Sequence, residues 1–346
     1  MNKLKYFFSN IFLGIIWILI IQCEDKKDYN IDLSSEYTSY HSINVYGDGS
    51  SYCAFTTLIQ RDNFFYLAFR EGNEHVADGD YGVIRILSSN DCVHWSLIQT
   101  INIPNIDLRD PNLSIAPEGN LFLICGGRTK LDNGELVTNT YYSFETNNSF
   151  ETPHKIWFPN DIYRTSVNWL WKLTWHNNKG YGVVYHKNGA DIVETVDGIN
   201  YILLSHINQP FVNESRIRFL INGEAIALFR ATEGGNGYIG NSKPPYTEWT
   251  YTQLNYHLSG QDFIITSDTI YCVSRSYDKD VAHTALYLSR LNGEILHKYI
   301  LLSSGDTSYA GIVEYNGYYY ISYYSMHKTP KPAIYIEKIS QKAIKF

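Results

Sequence analysis

The chain is short of several things, and each shortage excludes something. It has only two methionines, and past residue 25 no segment keeps a long apolar pattern of period 3.6. Little helix is therefore expected. Charged residues make up 18% of the chain, acids outnumber bases for a net charge of −7, and no basic run interrupts that balance. Nucleic acid is thereby excluded as a partner. The five cysteines lack metal-type spacing, no His or carboxylate cluster has usable ligand spacing, and no phosphate-binding glycine loop is present. No metal and no cofactor are expected. Cys53, Cys92, Cys125 and Cys272 are read as buried free thiols, the last two because they sit inside apolar runs.

What is present points to strands. The 346 residues are 44% hydrophobic and include 30 tyrosines, 16 phenylalanines and 7 tryptophans. Tyr, Thr, Ile and Val favour a pleated, half-buried surface. The length suits one large all-β domain.

The first 23 residues read as a targeting segment. Lys3 and Lys5 precede the apolar run Ile11–Ile21, which ends at Cys23. The run is short for a membrane span. The stretch Cys23-Glu24-Asp25-Lys26-Lys27-Asp28 resembles a bacterial lipoprotein start, which implies an exported protein with lipid on Cys23; cleaved secretion and an uncut anchor are the alternatives. Gln22 departs from the small residue such a start normally carries there. Residues 24–45 read as a polar tether and 46–346 as the folded domain. Contact with a membrane is expected only through the N-terminus, and a monomer is expected.

The stretch 306–324 shows how the domain is built. A strand over Ala310–Tyr315, the turn Asn316–Gly317 and a strand over Tyr318–Tyr324 make a hairpin, and Asn-Gly between β-rich runs is the strongest short-range signal for one. Related hairpins begin at 53, 110, 169, 214, 260 and 308. Six copies at a period in the forties to fifties, each with room for four short strands, predict a six-bladed β-propeller. The outer halves repeat as well. SSNDCVHWS (88–96), ETVDGINYI (194–202) and NSKPPYTEWTY (241–251) resemble the Asp-box, a structural turn between the third and fourth strands of a sialidase blade. Asp91, Trp95, Asp197 and Trp249 are accordingly given no chemistry.

A propeller brings the first strand of every blade to a central channel, so equivalent positions share one mouth. Strand starts offer Asp110, Trp169, Glu214, Gln261 and Tyr309; hairpin ends offer Arg70, Arg128, His186, Arg230, Arg275 and Tyr324. A core needs none of these arginines and acids. Arginines gathered at one mouth repel one another unless an anion or paired carboxylates lie among them. An anion pocket follows, and the planar guanidinium fork suits a carboxylate.

From about residue 50 onward the chain resembles the sialidase superfamily of six-bladed propellers. The likeness is carried by AFREGNEH (68–75), DLRDPNLSIAPEGNLFL (107–123), NESRIRFLINGEAIALFR (213–230), GYIGNSKPPYTEWTY (237–251) and GDTSYAGIVEYNGYYYISYYS (305–325). It implies an arginine triad for the substrate carboxylate, a Tyr–Glu nucleophile pair and an Asp acid/base. Tyr309 matches the nucleophile, Glu214 its base, and Arg230 and Arg275 the second and third arginines. The first arginine, expected on the first strand of blade 1, is absent from Tyr52-Cys53-Ala54-Phe55; Arg70 is the candidate replacement. The acid/base is expected at Asp80, with Asp78 as the alternative and His75 beside it. Asp110 is expected to face the channel and touch substrate. The implied activity is a retaining exo-glycosidase acting on an acidic glycan. Another glycosidase or lyase for acidic polysaccharides, or a non-catalytic glycan-binding propeller, are the alternatives.

Overall fold

The computed structural model describes residues 42–76, 79, 81–163, 166–232 and 235–344. The targeting segment and nearly all of the tether lie outside the described residues, and so do Asp78 and Asp80. Among the described residues no helix is long and apolar enough to cross a membrane. The one helical segment there is a 3₁₀ turn at Gln341–Ala343.

The six expected hairpins open six antiparallel sheets. Their inner strands are Tyr52–Arg61, Asp107–Ile115, Trp169–His176, Val212–Phe219, Asp262–Thr266 and Ser308–Tyr315, for blades 1 to 6. In blades 1, 3, 4 and 5 the chain runs outward strand by strand, so neighbours in sequence are neighbours in the sheet; in blade 2 both Ser149–Phe150 and His154–Lys155 pair with the third strand. Each inner strand lies against the next, and the last lies against the first. The architecture is a six-bladed β-propeller.

Ring closure uses the N-terminus. Blade 6 supplies three strands from the end of the chain, and its outermost strand is Ile43–Tyr46, paired antiparallel with Ala333–Ser340. This strand takes in three residues of the expected tether. Val45 and Tyr46 explain it, since both pack on the cluster shared by blades 6 and 1. Without that strand, Ala333–Ser340 would be an open edge with unpaired backbone groups.

Six hydrophobic clusters fill the six clefts between adjacent blades. Aromatic side chains do much of this filling, which accounts for the tyrosine count: Tyr323, Tyr324 and Tyr335 are wholly buried in blade 6 alone. The four described cysteines are free and buried, as expected. The Asp-box turns form as read: Asp91 Oδ1 accepts from the amides of Val93 and His94, both at 2.8 Å, and Asp197 Oδ1 does the same for Ile199 and Asn200. The third copy has no Asp and closes instead through the Ser242 hydroxyl on Glu248 O at 2.5 Å.

A bulge interrupts the inner strand at the same level in five blades, between Ala54 and Thr57, Arg109 and Asn112, Leu170 and Leu173, Val212 and Ser215, and Ser308 and Gly311. An extra residue on one strand re-aims its side chain. Phe55, Asp110 and Tyr309 take positive φ values of 62°, 44° and 46° in these bulges. That conformation costs a non-glycine residue about 1–2 kcal/mol, so packing must hold it. The bulges build a layer across the channel.

Truncating the chain through Tyr46 is expected to lower the unfolding midpoint by roughly 5 °C or more, since one strand of a large cooperative domain is worth several kcal/mol. Thermal unfolding followed by circular dichroism checks this, and an unchanged midpoint would show that the ring closes without that strand.

Candidate active site

Tyr309 enters the channel from the blade 6 bulge. Ser308 and Ala310, fully buried on either side, add no bulk. Its ring lies edge-on to Phe55 at 5.1 Å and to Trp171 at 6.3 Å, with Tyr324 at 6.1 Å. Gly260, at φ +57°, forms the floor: a Cβ there would stand 2.4 Å from the tyrosine ring.

The phenol donates to Glu214 Oε1 at 2.5 Å. Arg230 Nη1 reaches the same carboxylate oxygen at 2.6 Å and the phenol oxygen at 3.3 Å. Glu214 Oε2 accepts from the Gly260 amide at 2.9 Å. Burial alone pushes the Glu214 carboxyl up, but the Arg230 charge and the bonds from Tyr309 and Gly260 outweigh it and hold the group below its usual value. Burial, then the Glu214 charge, raises the Tyr309 phenol. Arg230 is held protonated chiefly by Glu214. The result is a neutral phenol beside an ionised base.

Arg275 approaches from blade 5, with its guanidinium carbon 5.6 Å from the centre of the Tyr309 ring. Its Nε and Nη2 donate to Thr307 O at 2.9 and 2.7 Å, and Nη2 also reaches Asp306 Oδ1 at 2.9 Å and the Tyr324 hydroxyl at 3.0 Å. Asp306 is a hub: it also receives Tyr324 at 2.8 Å, His75 Nδ1 at 2.8 Å and the hydroxyl of Tyr52. Burial raises its carboxyl, yet the bonds from His75 and Tyr52 and the Arg275 charge bring it down to about 2. Sequence reading missed Asp306. Its signal was its place, as the single acid in the run Ser303–Ser308 leading into Tyr309.

Of the expected residues, Tyr309, Glu214, Arg230, Arg275 and His75 come together. Phe55 stands in its blade where Tyr309 stands in blade 6, and no arginine stands there. Arg70 does not replace one. It has no exposed surface, its Nε is bound to Asp107 at 2.8 Å and its Nη1 to Glu74 O at 2.9 Å. Its expected role in holding substrate is corrected to a structural one, because Gly72 and Gly82 pack on its guanidinium and its donors are taken up inside the protein. Arg109 lies nearer the channel, 4.9 Å over the Phe55 ring. Asp110 faces the channel layer as expected, sharing a small void with Phe55, Trp171 and Tyr309. His186 turns to Asp191 of its own blade, at 3.6 Å.

The other end of the channel opens as a cavity of about 450 Å³. Its charges satisfy one another: Lys172, Arg216 and Arg218 all converge on Asp262, at 3.1, 3.4 and 3.1 Å. Among the described residues no phenol–carboxylate pair is found there.

The Asp306 carboxyl is held below its ordinary value of 3.8, so its contribution to stability is complete above that value and is lost as the pH falls toward 2. Unfolding midpoints of the wild-type protein and Asp306→Asn should therefore differ at pH 5 to 7 and converge near pH 2. A gap that persists at pH 2 would contradict the ion pair.

No family model and no curated protein matches the chain. Solved structures do match. A Dyadobacter fermentans protein of unknown function is similar at 15% identity with a TM-score of 0.75, over 88% of this chain and 99% of that one. Trypanosoma rangeli sialidase in complex with the inhibitor DANA is similar at 10% identity and a TM-score of 0.69, over 86% of this chain and 59% of that one. The Hadza microbial sialidase Hz136 is similar at 11% and 0.68, over 88% and 69%. The chain thus spans about three fifths of the Trypanosoma protein. The fold of this chain is the sialidase-like six-bladed β-propeller.

Proposed function

We propose that the protein is a retaining exo-glycosidase of the sialidase kind, releasing a terminal sialic acid or related acidic sugar from glycans. The observation that carries this reading is the 2.5 Å bond from Tyr309 to Glu214, with Arg230 on the same carboxylate and Arg275 beside the ring. A carboxylate on the anomeric carbon repels a carboxylate nucleophile and does not repel a neutral phenol. Sialidases are the known glycosidase exception with a tyrosine nucleophile.

In this reading Tyr309 Oη attacks the anomeric carbon while its proton passes to Glu214 Oε1, and the bond to the leaving oxygen breaks. A carboxylic acid protonates that oxygen; the sequence assigns this role to Asp80 or Asp78, outside the described residues. Water, deprotonated by the same acid's carboxylate, then attacks the anomeric carbon. Tyr309 leaves and recovers its proton from Glu214. Two inversions give net retention. Arg275 Nη1 and Arg230 Nη2 make no hydrogen bond to the protein among the described residues, and these two N–H groups are the ones we assign to the substrate carboxylate. A solved neighbour is Trypanosoma rangeli sialidase with 2,3-difluorosialic acid as covalent intermediate, which supports the same chemistry for this scaffold. We further propose that the protein acts outside the cytoplasm as a monomer, tethered through a lipid on Cys23.

Two observations favour a second reading. Phe55 stands where the family's first arginine is expected, and Asp306 already takes one face of Arg275. That arrangement suits an acidic sugar whose carboxylate is not on the anomeric carbon, such as a uronic acid residue.

Wild-type protein is expected to release free acid from a 2-linked aryl sialoside, and Tyr309→Phe to lower kcat/KM by about 10³-fold or more. Full activity of Tyr309→Phe would remove the phenol mechanism. Turnover of uronic acid oligomers with none of sialosides would select the second reading.

A further inference from the structure

Polar groups without partners gather at one side of the mouth, where blades 2 and 3 meet. Arg128 lies near the end of the second strand of blade 2, Leu121–Lys130, opposite Asp107 in the ladder, and makes no hydrogen bond or ion pair among the described residues. Burial, and then the charge of Arg109, lower its pKa from the usual arginine value. Arg109 Nε is buried with no partner, and so are Asp110 Oδ1 and Trp169 Nε1. Trp169 is fixed there by stacking on Tyr185 at 5.8 Å and by Gly126, where a Cβ would meet the indole at 2.3 Å.

Buried polar groups normally find partners, so three buried orphan atoms beside the half-buried, unpaired Arg128 mark the footprint of a missing ligand group. Three of these four are donors. The fourth, Asp110, is pushed up to about 7 by burial and then by the Glu214 charge, against the opposing pull of Arg109. Near neutral pH it retains enough proton to donate as well. On the other side Arg230 and Arg275 are each tied to a carboxylate of the protein, although Arg230 Nε is likewise buried without a partner; on this side Arg109 is tied to Asp107. Arg128 is not.

We propose that this side of the mouth is a second anion subsite, with Arg128 as its fork, and that the substrate carries two anionic groups. The acidic terminal sugar sits over Tyr309, and a second oxyanion, a carboxylate or a sulfate ester on the same or the adjoining sugar, meets Arg128. The inference rests on the reading of the mouth as an acidic-sugar site and names the substrate class more closely. An unpaired guanidinium beside two further unpaired donors discriminates by charge and by fork geometry.

The test is calorimetric titration of the full chain with three probes: sialic acid, an α2,8-linked disialic acid, and a sialyl-galactose carrying a 6-sulfate. At least one dianion is expected to bind roughly tenfold or more tighter than sialic acid, the scale of a charge-assisted hydrogen-bond pair. Arg128→Gln should erase that advantage and leave sialic acid binding within about twofold, while Arg128→Lys keeps part of it. Which dianion gains separates carboxylate from sulfate. An equal advantage in Arg128→Gln, or none in a wild-type protein that still binds or hydrolyses the monoanion, overturns this inference alone. Wild-type protein that binds none of the three overturns it together with the acidic-sugar reading.

Discussion

A carboxylate cut off from water stays ionised only if neighbours replace the solvent, and Glu214 has three that do: the Arg230 guanidinium, the Tyr309 phenol and the Gly260 amide. Each comes from a different place in the chain, on blades 4 and 6 and at the start of blade 5. The carboxylate therefore pins three sheets together at the mouth. It also fixes the phenol in one orientation with its proton already aimed at a base. Removing either partner leaves a buried charge or a buried hydroxyl unpaired, so the same contact serves fold and chemistry.

The ring exists to make that convergence possible. Its cores lie between blades rather than within them, and its last sheet is completed by the first strand. The inner strands are thereby held at close quarters: a Cβ on Gly311 would stand 2.3 Å from the Leu58 amide nitrogen of the neighbouring blade. Such packing is what can hold Phe55, Asp110 and Tyr309 in backbone conformations that these residues avoid elsewhere. The strained positions coincide with the channel layer, and Gly260 relieves it at the one point where a side chain would strike the Tyr309 ring.

Much of this was legible in the chain. Six hairpins in phase gave the propeller because each carries its own turn chemistry, and Glu214 and Arg230 were found because the two ends of a hairpin must meet at one level. Arg70 was misjudged on the same rule: a hairpin end is at the mouth only when nothing covers it, and Gly72 and Gly82 pack directly on the Arg70 guanidinium. Asp306 escaped because it lies in a linker between blades, outside any repeat position. Phe55 was visible as a missing arginine, but the bulge that places it level with Tyr309 is a tertiary feature, set by the neighbouring strand. The tether boundary moved for a similar reason, since a four-residue edge strand has no pattern of its own until Ala333–Ser340 offers it an edge.

Charge at the mouth is nearly balanced within the protein on the side of blades 4 to 6 and unbalanced beside Arg128. A tyrosine nucleophile is the claim on which the catalytic account stands. Its most direct measurement is mass spectrometry of peptides from the protein incubated with a 2,3-difluorinated sialic acid and quenched in acid. The account predicts a single glycosyl adduct carried by the Tyr309 side chain, absent in Tyr309→Phe. An adduct on Glu214, or none on any residue while the wild-type protein hydrolyses the aryl sialoside, would contradict it.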